Sequence, residues 1–386
     1  MIFAKLSTLY FVYFALLGVM APYLGLYLES QGYSLFEIAQ LASLLMMTKV
    51  VAPLLWGSIA DRYQNSVFLV RLGSFMTMLC YLGFFVAATF WQYVVVIALF
   101  SFFWNAILPQ IEVITLFNLA GYQDRYSRIR LWGSVGFIVS VVGAGWFFEI
   151  AGIRHFPLVL LLIVFALWVV SYFNYEQPKI IKRASLAAVS LVSQFMQIKV
   201  VLFFTICFLL QVSHGAYYTY FSIYLESLSY SKSIIGWLWS LGVLAEIILF
   251  WFMHRWFELH SVKTIMIIAL LLTAARWYFV SEYSELIIVI IMMQCLHAFS
   301  FGAMHSVAIK FVHYAFDACH QGRAQAMYSS FGFGAGGAVG AYICGLMVSQ
   351  GDYDLVFKFS ACTALLALIF ALFMSSNLSN KNQLSE

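Results

Sequence analysis

Twelve apolar stretches, each about the length that crosses a lipid bilayer, make up most of this sequence. They fall near 6–28, 36–57, 66–88, 92–119, 130–150, 155–175, 200–225, 233–253, 262–281, 286–312, 323–349 and 355–375. A bilayer core takes roughly 20 residues of helix per crossing. Lipid offers no partner for an open backbone group, so a spanning segment has to be a helix or a strand of a closed barrel. The alternating pattern of a barrel strand is absent. Only 9% of the residues are charged and 64% are hydrophobic, against about 25% charged in soluble domains. The expectation is an all-α membrane protein with twelve transmembrane helices. The first stretch is too long for a signal-peptide core and has no small-x-small cleavage site, so it reads as a retained span.

Basic residues sort the connections. With the N-terminus inside, the inner flanks carry Lys5, Arg62, Arg71, Arg125, Arg128, Arg130, Lys179, Lys182, Arg183, Lys199, Arg255, Lys263, Arg323 and Lys381, and the outer ones only Arg154, Lys232 and Lys358. The positive-inside rule then predicts a multi-pass protein of a bacterial-type inner (plasma) membrane with both termini cytoplasmic. The net charge of +4 is dispersed, with no basic run, so no nucleic-acid partner is expected. The six cysteines form no CxxC or metal-ligand spacing, and no metal or cofactor is expected.

The longest charged connection separates the sixth and seventh stretches. It divides the chain into six-helix bundles at 1–176 and 200–375, with a cytoplasmic linker at 177–199 and a tail at 376–386. The two halves repeat. Tyr27-Leu28-Glu29-Ser30 with Tyr33-Ser34 returns as Tyr224-Leu225-Glu226-Ser227 with Tyr230-Ser231, an offset of 197. The same offset sets Asp61 over Glu258 and Lys49 over Glu246. A parallel six-helix repeat is the signature of one large transporter class.

After the second stretch the sequence reads Gly57-Ser58-Ile59-Ala60-Asp61-Arg62, expected to lie in a loop. It resembles the Gly-x-x-x-Asp-Arg core of the major facilitator superfamily, although the usual basic cluster after it is missing. The resemblance implies the major facilitator fold, two pseudo-symmetric six-helix bundles. It also implies a gating role for Gly57, Asp61 and Arg62, with the Asp capping a helix end and pairing with an Arg. The segments 130–137 and 230–246 resemble the phenylpropionate:proton symporter group, which is related to lactose permease.

An unpaired charge at mid-bilayer costs about 3 kcal/mol on insertion scales, so each one is a functional candidate. The candidates are Lys49, Glu112, Glu246, Arg276, His214, His297 and His305. Glu112 precedes Arg130 by eighteen residues, a spacing similar to the substrate-binding pair of lactose permease. Glu112 and Arg130 are therefore the expected substrate-binding residues, with an arginine fork suited to a carboxylate or to vicinal hydroxyls. Glu246, Arg276 and His297 resemble the proton-coupling cluster of that protein, with two departures. Ser300 stands where its coupling carboxylate would be, and Gln294 where a lysine would be. Burial favours the protonated carboxyl and a nearby guanidinium favours the carboxylate, so a moving Arg276 would switch Glu246. His305, two turns beyond His297, is a further proton-coupling candidate.

These readings converge on a transporter, not an enzyme. The expected activity is proton-coupled uptake of a small organic solute, an aromatic or other carboxylate such as 3-phenylpropionate. The expected partners are that solute, the proton and the lipid bilayer, with the chain acting as a monomer. A sugar or nucleoside permease is the alternative. Export is disfavoured because the fifth span, 131–150, lacks the proline of exporter motifs. Glycine runs in the fifth and eleventh spans are expected to allow close helix packing.

Overall fold

The computed structural model describes residues 2–63, 65–119, 125–173, 175, 190–317, 319–348 and 351–374, without the Asp61 side chain. Most of the expected linker and the whole 376–386 tail lie outside that set. Among the described residues, twelve helices are long and apolar enough to cross a membrane. They are α1 (Ile2–Ser30), α2 (Leu35–Ala60), α3 (Ser66–Phe85), α4 (Phe90–Asn118), α5 (Tyr126–Ala151), α6 (Ile153–Ser171), α7 (Ile198–Ser227), α8 (Lys232–Leu259), α9 (Val262–Tyr283), α10 (Ile287–Ala315), α11 (Gln321–Met347) and α12 (Tyr353–Phe373). The apolar stretches located them to within a few residues. Two ends run on further: α8 to Leu259, and the helix of α2 to Tyr63, so that Gly57, Asp61 and Arg62 lie on a helix end, not in a loop.

Local chemistry sets the helix starts. Thr89 and Gln92 form a capping box at α4, and Ser261 and Asp352 cap α9 and α12. Each satisfies a backbone N–H that the first helical turn leaves open. The helix flanks present large apolar side chains outward, Trp251 and Phe373 among them. In water that surface would drive aggregation; against lipid it is ordinary.

Since lipid is as apolar as leucine, helices in a bilayer associate through close packing at small residues. Gly136 of α5 lies against α1: a Cβ there would fall 2.1 Å from the Phe11 carbonyl oxygen. Gly340 of α11 meets α7 in the same way, 2.4 Å from the Val212 carbonyl oxygen. Helices five and one of the first half thus pack as helices eleven and seven of the second. The repeat also shows in the turns after α1 and α7. Gly32 N–H donates to Glu29 O at 2.9 Å and Tyr33 N–H to Leu28 O at 3.2 Å. Ser229 N–H donates to Glu226 O at 2.9 Å and Tyr230 N–H to Leu225 O at 3.0 Å. Gly32 and Ser229, 197 apart, both have positive φ, +86° and +65°.

The chain divides into two compact units. The first holds α1 to α6 together with Tyr218–Ser240, and the second the earlier part of α7, up to Tyr217, with everything from Leu241 onward. Both breaks fall inside helices. α7 itself is interrupted at His214, between Ile198–Ser213 and Gly215–Ser227. α10 and α11 each contain a π-helical stretch, Ala298–Ala303 and Tyr328–Gly336.

Candidate functional site

In the second unit, charged and polar side chains of α8, α9 and α10 meet in a row. Arg276 is fully buried. Its Nη1 donates to His297 Nδ1 at 2.9 Å and to Ser300 Oγ at 3.0 Å, and its Nη2 donates to Gln294 Oε1 at 2.8 Å. Gln294 Nε2 in turn donates to the Tyr217 hydroxyl at 3.2 Å. The guanidinium also lies 4.6 Å from the Tyr217 ring and 4.2 Å from the Trp277 ring. His297 Nε2 lies 2.9 Å from Glu246 Oε1.

This geometry assigns the histidine tautomer. Nδ1 accepts from Arg276, so Nε2 carries the proton and donates to the Glu246 carboxylate. His297 therefore stands between the two charges. The sequence suggested that Arg276 acts on Glu246 directly; here the interaction passes through the ring. Ser300 and Gln294, the two departures from the resembled cluster, are both acceptors for Arg276. Their roles were not legible as site residues, because neither is charged. The regular first part of α10 ends at Cys295, and His297 stands immediately before the π stretch; such stretches recur at functional sites.

His305 stands apart. Phe301 stacks on His297 (5.6 Å) and on His305 (6.4 Å), so an apolar ring separates the two imidazoles. His214, at the break in α7, has Nδ1 2.8 Å from Leu210 O and its ring against Trp277.

In the first unit, Arg130 near the start of α5 pairs with Glu112 of α4, Nη1 to Oε1, at 3.0 Å. The same Nη1 donates to the Tyr126 hydroxyl at 3.0 Å, a neighbour that sequence reasoning missed. Both side chains are partly open, 42% and 34% exposed. Among the described residues no hydrogen bond holds the Nη2 and Nε edge of the fork. Gly57 of the expected gating motif faces open space and Arg62 is exposed. The Asp61 side chain, and any bond it makes, lies outside the described residues.

The first unit also holds a small cleft. α1, α2, α4 and the Tyr218–Thr219 segment of α7 line it. Lys49, close to the middle of α2, is its charged residue. No group of three or more metal-ligating side chains occurs among the described residues.

A family model described as "MFS_1 like family" matches residues 3–359. The chain belongs to the MFS_1 like family. It is thus a multi-pass membrane transporter of the major facilitator type and not an enzyme. Among relatives of this MFS_1 like chain is the "Probable 3-phenylpropionic acid transporter" of Escherichia coli (strain K12). The two are 26% identical over 88% of this chain and 89% of that protein. The maltose permease of Geobacillus stearothermophilus is 30% identical over 36% of this chain and 35% of its own length. In fold, the chain is similar to a crystal structure of a mutant of the nucleoside transporter NupG, with TM-score 0.84 and 18% identity. That likeness covers 97% of this chain and 100% of the other.

Proposed function

We propose that this MFS_1 like transporter carries a small organic carboxylate, of the 3-phenylpropionate class, into the cell together with a proton. The hydrogen-bonded row Glu246–His297–Arg276 carries the proton half of that reading. Glu246 Oε1 is engaged by His297, while Oε2 has no hydrogen-bond partner among the described residues and is the atom that takes the proton. A proton added to His297 Nδ1 instead would face the Arg276 N–H, donor against donor. Protonated Glu246 removes the anion that offsets Arg276, and that change in charge biases the alternating-access equilibrium of the carrier.

The substrate half rests on the relative named for 3-phenylpropionic acid, which spans most of the chain, and on the polar groups of the first unit. In this reading Arg130 offers its unheld Nη2–Nε edge to the substrate while Glu112 and Tyr126 hold Nη1. The basic residues of the connections support cytoplasmic termini and an inner-membrane location.

Uptake into proteoliposomes of labelled 3-phenylpropionate, lactose and uridine under an imposed pH gradient tests the proposal. Accumulation of the carboxylate alone is expected. A monoanion moving with one proton carries no net charge, so substrate addition to a solid-supported membrane gives no sustained current. Accumulation of lactose or uridine with an inward positive current would assign the protein to the sugar or nucleoside alternative instead.

A further inference from the structure

Lys49 lies close to the middle of α2, apart from both the Glu246–His297–Arg276 row and the Glu112–Arg130 pair. Among the described residues it has neither an ion pair nor a hydrogen bond. It lines the cleft of the first unit together with Trp104 of α4 and Thr219 of α7. Both neighbours are more than nine-tenths buried, at 2% and 6% exposure. Lys49 is thus a mid-helix cation on the wall of a cleft, with no protein anion among the described residues set against it. Native interiors rarely leave such groups unpaired, and each instance calls for an explanation.

The chemistry of the lysine restricts what would satisfy it. An ammonium has three donors and no acceptor, so its partner is an acceptor that carries negative charge. An amine is excluded, and a neutral hydroxyl-rich solute leaves the ammonium uncompensated. The remaining wall, with Met20, Leu24 and Leu45, is apolar. We propose that the Lys49 cleft is the subsite for the carboxylate of an amphipathic monoanion, whose hydrocarbon or aromatic body packs on that apolar wall. The inference rests on the carboxylate reading of the substrate above and adds the place where the charge is read.

The Arg130 station is separate. Gly133, just beyond Arg130, faces Phe14 of α1, whereas the cleft is lined from Leu17 to Leu28 of that helix. Arg130 lies toward the start of α1 and is already paired with Glu112. Lys49 lies deeper and has no such pair, so the carboxylate that Arg130 engages first passes to Lys49, where it displaces no protein anion.

The test uses the full chain in phosphatidylcholine nanodiscs, with 3-phenylpropionate and its neutral isostere 3-phenylpropionamide as calorimetric probes. The wild type is expected to favour the carboxylate at least tenfold. Lys49→Met should erase that preference by losing at least tenfold in carboxylate affinity, and Lys49→Arg should keep most of it. A second measurement on the wild type needs no variant: 3-phenylpropionate, but not the amide, should protect Lys49 from reductive methylation, read by peptide mass mapping. Carboxylate binding by Lys49→Met within twofold of wild type, or absence of protection, overturns the subsite and leaves the carboxylate reading intact. A wild type with no preference for carboxylate over amide overturns both.

Discussion

Lys49 and Glu246 occupy equivalent positions in the two halves of the repeat, each near the middle of the second helix of its half, yet their surroundings are opposite. Glu246 is tied to His297, which is tied to Arg276, which is tied to Ser300 and Gln294. Lys49 faces a cleft with no partner among the described residues. A buried charge is tolerated when paired and is costly when not. On the proposed reading the difference is a division of labour: one half keeps a paired network with a carboxylate oxygen open to a proton, and the other keeps an unpaired cation open to an anion.

The largest effect expected from this contrast is on stability. Arg276→Ala strips the donors from His297, Ser300 and Gln294 and leaves a buried carboxylate without its counter-charge. Breaking a buried pair from one side costs about 3–5 kcal/mol, so a large drop in the thermal midpoint of the detergent-solubilised protein is expected. Lys49→Ala removes an uncompensated charge and should leave that midpoint unchanged or raise it. Equal losses from the two substitutions would erase the contrast.

The next effect is on binding alone. Arg130→Lys keeps the charge opposite Glu112 but loses the fork, whose Nη2–Nε edge an ammonium cannot reproduce. Substrate affinity should fall at least tenfold with the thermal midpoint unaltered. Normal affinity in the purified variant would remove Arg130 from the substrate path.

The smallest effect concerns the repeat itself. Ser229 takes the left-handed conformation that its counterpart Gly32 takes without a Cβ. That conformation costs an ordinary L-residue about 1–2 kcal/mol, while glycine adds unfolded-state entropy that offsets part of the gain. Ser229→Gly should therefore stabilise slightly, by a fraction of a kcal/mol, and Gly32→Ala should destabilise by more. Both can be read in matched thermal melts; destabilisation by the glycine would show that the two turns are not interchangeable.

Much of the fold was legible because lipid is an unforgiving solvent. Twelve apolar stretches needed no alignment to be seen, and the Tyr-Leu-Glu-Ser repeat marked turns whose hydrogen bonds coincide almost bond for bond. The glycines of α5 and α11 pointed to close contacts, though not to α1 and α7 as their partners. The candidate site was legible only where it is charged. Glu112, Arg130, Glu246, Arg276 and His297 announce themselves by the cost of placing them in a membrane. Ser300, Gln294 and Tyr126 do not, since hydroxyls and amides are common in spanning helices and gain meaning only from what they touch. The π stretch of α10, which stacks Phe301 between His297 and His305, leaves no trace in hydropathy at all. The end of α2 from Gly57 was read as a loop because polar residues begin there, but polar residues extend a helix as readily once it emerges from lipid.

The central claim is that Glu246 holds the transported proton while the first half holds the substrate. Glu246→Gln tests it most directly, because the amide oxygen still accepts the His297 N–H while the group can no longer lose or gain a proton. In proteoliposomes with 3-phenylpropionate, the variant should exchange internal for external substrate at close to the wild-type rate and fail to accumulate it under a pH gradient. Gradient-driven accumulation equal to wild type would contradict the claim and move the proton to another group.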